Sequence, residues 1–120
     1  MVKKVELNRI IQESVPGKQI TMAHIVSSPK PLIYQKLGLD PSVDYNKAAI
    51  GIMTLSPRET AIIAADIAMK RATIDVGFID RFSGTLIVTG RIADVQTAWE
   101  AVLLYAKREM GFSVCKVTKA

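Results

Sequence analysis

Read from its first residues, the chain passes from strand-like alternation to helical spacing and back. Leu7–Val15 (L-N-R-I-I-Q-E-S-V) alternates imperfectly and runs into Pro16-Gly17, a turn pair in which proline presets φ and glycine accepts a positive value. Gln19–Val26 (Q-I-T-M-A-H-I-V) is apolar and β-branched, which predicts a strand. Ser28-Pro29 has the form of an N-cap followed by proline at the first helical position, opening a short helix that ends at Gly38. Leu39–Lys47 reads as a polar loop, and Ala48–Leu55 (A-A-I-G-I-M-T-L) as a buried strand. Ser56-Pro57-Arg58-Glu59 reads as a capping box, Ser56 accepting from the Glu59 N–H while Glu59 reaches back, ahead of the alanine-rich helix Thr60–Ala72. Ile74–Ile79 and Thr85–Thr89 predict a hairpin. In Ile92–Met110, residues Val95, Ala98, Trp99, Val102, Leu103, Ala106 and Met110 fall on one helical face, and Gly111 ends the helix. Phe112–Thr118 predicts a final strand.

The order is β, short α, β, long α, hairpin, long α, β, preceded by a strand-like arm. Its centre is a ferredoxin-like split βαβ of the α/β (α+β) class. Four or five mainly antiparallel strands should carry both long helices on one face. The arm, residues 1–15, stands apart from a single domain over residues 16–120. It has no hairpin partner on its N-terminal side, and its backbone groups need partners wherever they are buried. It frays in water or pairs with something outside the domain.

Composition narrows the function. With 49% hydrophobic residues the chain can build one core, and with 6% aromatic residues that core relies on close packing of small and branched side chains. The net charge of +5 would allow nucleic-acid binding, but the 16 basic residues are scattered and form no basic helix face. One cysteine excludes an internal disulfide and fits a reducing cytosol. No apolar run reaches the roughly 20 residues of a membrane span. The expectation is a cytoplasmic protein with neither nucleic-acid nor membrane partners.

Candidate catalytic residues are sparse. His24, the single histidine, lies in an apolar strand and reads as packed or interfacial, with no sequence neighbour to form a nucleophile pair. Cys115 reads as a small buried hydrophobe. Asp66 and Asp75 are isolated acids, no metal-ligand spacing exists, and neither a dinucleotide fingerprint nor a phosphate loop is present. The chain is expected to be non-enzymatic and cofactor-free. Trp99 belongs to the core stripe, whereas Leu104 and Tyr105 lie off it and suggest a second buried contact.

The hairpin stands out. Its turn, Asp80, Arg81, Phe82, Ser83 and Gly84, carries an acid, a base and an aromatic that chain reversal alone does not need. One reading is a ligand-binding or regulatory oligomer that holds a small anion near Arg81; another is a small enzyme at a subunit interface using His24 or Cys115.

A resemblance favours a third reading. R-I-I-Q-E-S-V-P-G-K-Q-I-T-M-A-H (Arg9–His24), A-I-G-I-M-T-L-S-P-R-E-T-A-I-I-A-A-D-I-A (Ala49–Ala68) and I-D-V-G-F-I-D-R-F-S-G (Ile74–Gly84) resemble the circularly permuted shell proteins of bacterial microcompartments, those of the ethanolamine-, propanediol- and choline-utilisation organelles. The resemblance runs from Arg9 to Lys119 and departs at the loop Asp40–Lys47, which is longer here. It implies a permuted shell domain, six copies arranged in a disc around an axis, and discs tiled edge to edge into a shell around cytosolic enzymes. Partners are then the chain itself, other shell proteins and encapsulated enzymes. It further implies that Asp80–Gly84 lines the axis, six charges of each sign setting a strong local field. The arm residues Asn8, Arg9, Ile10, Ile11, Gln12, Glu13, Ser14 and Val15 match the segment that forms a six-stranded parallel barrel over that axis, too narrow for a wide lumen. Lys70, in A-A-D-x-x-x-K, matches the lysine that lies along a neighbouring disc's edge.

Overall fold

The computed structural model describes residues 17–30, 32–33, 37 and 49–120. The arm Asn8–Val15, the loop Asp40–Lys47 and most of the expected short helix lie outside the described residues. The elements are β1 (Gln19–Val26), β2 (Ala49–Ser56), α1 (Thr60–Arg71), β3 (Asp75–Asp80), β4 (Thr85–Gly90), α2 (Ile92–Glu109) and the short β5 (Thr118–Lys119).

The strands form one sheet in the order β3-β4-β2-β1-β5. All neighbours are antiparallel except β1 and β5. This order is a split βαβ with one strand supplied from elsewhere. β2-α1-β3-β4-α2 gives its first five elements, and the place of its last strand, beside β2, is taken by β1 from the start of the chain. The strand after α2, β5, lies outside β1 instead.

Alternation along the strands decides which face is covered. Ile20, Ala23 and Ile25 of β1, Ala49, Met53 and Leu55 of β2, and Leu86 and Val88 of β4 are buried against the helices. The small residues Ala61, Ala64, Ala65 and Ala68 of α1 and Ala98 and Ala106 of α2 are buried in the same core. Alanine at these positions lets the helix axes approach the sheet closely. Trp99 fills the centre: it is fully buried, and its indole N–H donates to the His24 carbonyl at 3.2 Å. Gly51 lies beneath it, where an added Cβ would come within 2.9 Å of the ring. The opposite face holds a smaller cluster of Ile50 and Ile87 with Val26 and Ile52 packed against it.

Two sequence expectations are corrected. The capping box does not form. Ser56 remains in β2, paired with Gln19, so its backbone is committed to the ladder. The chain then makes one tight turn, Thr60 N–H to Pro57 O at 2.9 Å, and the helix starts at Thr60 with Glu59 as an N-cap that makes no side-chain bond. The final strand is also shorter than Phe112–Thr118. Phe112 turns into the core, Ser113 makes one bridge to Gln19, and ladder pairing resumes only at Thr118–Lys119. The helix stop at Gly111 is as expected: its φ is 72° and the Phe112 N–H donates to Ala106 O at 3.0 Å.

Candidate functional site

The turn between β3 and β4 is built by its own acid. Asp80 Oδ1 accepts from the Phe82 N–H at 2.8 Å and the Ser83 N–H at 3.4 Å. Ser83 Oγ lies 2.9 Å from both Asp80 Oδ2 and Thr85 Oγ1. The Phe82 amide first, then the Ser83 hydroxyl, hold the Asp80 carboxyl below its usual pKa; slight desolvation opposes them. The lowered pKa keeps Asp80 ionised, and its carboxylate oxygens are oriented by the turn's own donors. Arg81 and Phe82 are more exposed than Asp80 and are the groups presented outward.

Among the described residues, Phe82 is the most exposed of the large apolar side chains, at 72%. The Arg81 guanidinium sits 5.3 Å from the centre of its ring, a cation–π distance that orients both groups. Gly84 locks the turn onto the body of the fold. Its N–H donates to the Asp80 carbonyl and its own carbonyl accepts from the Leu55 N–H, each at 2.8 Å. Its φ of 74° belongs to the left-handed region. A residue that sequence reading missed completes the clamp: Arg58 Nη1 donates to the Phe82 carbonyl at 3.3 Å. As a member of a capping box, Arg58 would be a helix-start residue; without that box it is free to reach the turn.

The other candidates are dispersed. His24 is half-buried on β1, with Nδ1 2.6 Å from Thr118 Oγ1, so it fastens the short β5. Burial pushes the Cys115 thiol above its usual pKa, which lowers its thiolate fraction and its nucleophilicity. These two residues form no pair with each other, and among the described residues no cluster could hold a metal ion. No described helix is long and apolar enough to cross a membrane.

Lys70 lies in the last turn of α1 and pairs with Asp66 at 2.9 Å, both side chains well exposed. Such an exposed i,i+4 pair contributes only about 0.3–0.5 kcal/mol. Around it Ile62, Ile63 and Met69 are also exposed, giving the outer side of α1 an apolar character that a solvated helix face lacks. Leu104 and Tyr105 are exposed on α2, off the core stripe as expected.

Residues 49–118 match the model of the BMC domain. The chain is 50% identical over 115 residues to the bacterial microcompartment shell protein CutR of Streptococcus intermedius, covering 96% of this chain and 95% of that one. It is 40% identical over 119 residues to the shell protein PduU of Salmonella typhimurium, covering 99% of each. Among solved structures, a flat hexamer of CutR superposes with a TM-score of 0.80 at 50% identity, over 93% of this chain and 99% of that one.

Proposed function

The chain belongs to the BMC-domain family of bacterial microcompartment shell proteins, and from that premise we propose that it is a structural, non-enzymatic tile that assembles as a homohexamer. The observation that carries this reading is the fold-wide likeness to the CutR flat hexamer, which extends over almost the whole of both chains. The tile packs edge to edge with copies of itself and other shell proteins, in the cytoplasm, around encapsulated enzymes. Electron microscopy of the purified protein tests it: discs with six-fold symmetry are expected, and a particle of any other symmetry would overturn the reading.

Within that disc we assign Asp80–Gly84 to the axis. The clamp from Leu55 and Arg58 gives each copy of the turn one fixed shape, as a rim needs if it is to be set by the fold. Arg81 and Phe82 then form a ring of stacked cations and aromatics. Residues 1–15 of the six copies close into a barrel over that ring; closure removes the free strand edges that a lone arm would leave. Deleting residues 1–15 is expected to leave the hexamer intact by light scattering and to uncover axial density in averaged images. Dissociation of the truncated protein would show that the arm builds the ring rather than capping it.

Lys70 is assigned to the contact between discs. The Asp66 pair is weak enough to open when a neighbour's backbone carbonyls are offered, and the exposed Ile62, Ile63 and Met69 provide apolar area beside it. Replacing Lys70 with Ala should keep hexamers in solution and abolish extended sheets in micrographs, whereas sheets of unchanged extent would remove Lys70 from the edge.

A further inference from the structure

Resting on the edge role proposed above for Lys70, we infer that Asp66 is the partner Lys70 finds in the facing disc. Each edge contact then holds a ring of four alternating charges, Asp66 and Lys70 from one disc and the same two residues from its neighbour.

Symmetry leads there. Discs that all face one way and tile a plane through six equal edges meet across two-fold axes. A two-fold contact sets one patch against its own copy, so the patch must be self-complementary. The outer side of α1 is such a patch. Its exposed residues are Ile62, Ile63, Asp66, Met69 and Lys70, with Arg71 at its end. Asp66 and Lys70 lie one turn apart, about 6 Å along the helix axis. A two-fold passing level with Ala68, midway between them, places Asp66 of one copy opposite Lys70 of the other, and the reverse. The same operation brings Met69 of the two copies together near the centre of the contact. One apolar pair is thereby flanked by two ion pairs.

The energetics follow from what covers the pair. In the free disc Lys70 Nζ lies 2.9 Å from Asp66 Oδ2 with both side chains well exposed, so the bond is weak. Covering the edge removes the water. A lysine left there with only neutral carbonyls would be an uncompensated charge, whereas a second carboxylate within reach offsets its desolvation. The ammonium has three donors, enough for its own Asp66, the neighbour's Asp66 and one backbone carbonyl. Two lysines alone would repel across the two-fold; alternation with two acids turns that repulsion into attraction. Arg71 carries a further cation, placed in the last turn of α1, where the helix dipole favours it.

Charge-complementary discs test the ring of four. Full-length Asp66→Lys and Lys70→Asp proteins are prepared as separate hexamers, checked by light scattering and mixed one to one. Both side chains are exposed, so the fold should tolerate each change. Alone, neither is expected to form sheets. Mixed, they should sediment as assemblies larger than a hexamer at about one tenth of the protein concentration that either needs alone. Because a disc with six neighbours cannot alternate two kinds everywhere, strips rather than full sheets are expected in micrographs. A mixture that sediments no better than its parts overturns the four-charge ring, as does an Asp66→Lys protein that forms sheets like the parent. Asp66→Asn removes the acid without adding a cation and decides the matter if either charge reversal breaks the hexamer. Its threshold for sheets should rise about tenfold, and an unchanged threshold overturns the ring too. Lys70→Ala separates the premise. If its sheets match the parent's, the edge role itself fails; if it loses them while Asp66→Asn keeps them, the edge role stands and Asp66 has no part in it.

Discussion

A Gly84→Ala protein will melt roughly 10 °C or more below the parent. Two costs add. The left-handed backbone at Gly84, φ 74°, charges any residue with a Cβ about 1–2 kcal/mol. The new methyl group also runs into the Leu55 carbonyl and comes within 3.1 Å of Arg58 Cα, both backbone atoms that cannot rotate away. Overpacking of that kind costs typically about 1–3 kcal/mol. The same two neighbours hold the turn in place, through the Leu55 N–H and the Arg58 guanidinium, so relief of the clash must move the turn itself. The variant should therefore lose order at Arg81 and Phe82 in averaged images of whatever discs survive. A melting temperature within about 3 °C of the parent, which corresponds to less than about 1 kcal/mol, would show that the turn is softer than its hydrogen bonds imply.

Much of this fold could be read along the chain. The α2 stripe, from Val95 to Ala106, is buried as its spacing requires, because a long amphipathic helix has one face and one place to bury it. The hairpin and the Gly111 stop depend on glycines whose positive φ no other residue adopts cheaply. The failures are also instructive. Ser56-Pro57-Arg58-Glu59 has every residue of a capping box, yet Ser56 also continues the alternation of β2, and a ladder partner at Gln19 outcompeted a local cap. Local pattern cannot weigh a bond to a residue 37 positions away. Phe112–Thr118 has strand composition, but among the described residues it lies beside β1 alone, and Phe112 is drawn into the core instead of the ladder.

The candidate site was legible as a position rather than as a mechanism. The sequence marks Asp80–Gly84 as an over-furnished turn, and the turn does project Phe82 and Arg81. It does not reveal that Asp80 is turned inward onto the Phe82 and Ser83 amides. An Asx-type hydrogen bond depends on the backbone angles of the next two residues, which the letters D-R-F-S-G permit but do not dictate. Arg58 was hidden for the same reason as the capping box: its partner, the Phe82 carbonyl, is a contact between chain segments.

Trp99→Ala should cost about 3–5 kcal/mol and leave little folded protein at physiological temperature. The indole is fully buried between the helices and the sheet, and no other described side chain is large enough to fill its place. Its loss also removes the indole N–H that donates to the His24 carbonyl at 3.2 Å. The sharper experiment is a cycle with Gly51. An added Cβ there would lie 2.9 Å from Trp99 Cε2 and Cζ2 and 2.7 Å from Val95 Cγ1. Gly51→Ala alone is expected to cost about 1–3 kcal/mol through overpacking. In a Trp99→Phe background the smaller ring vacates the space that the methyl group needs, so the same change should cost at least about 0.5 kcal/mol less. Val95 remains in the way, so the relief is partial. Denaturant unfolding of the four proteins measures the difference, and strict additivity would mean that Trp99 does not rest on Gly51 and that the glycine in this strand answers to something other than the ring above it.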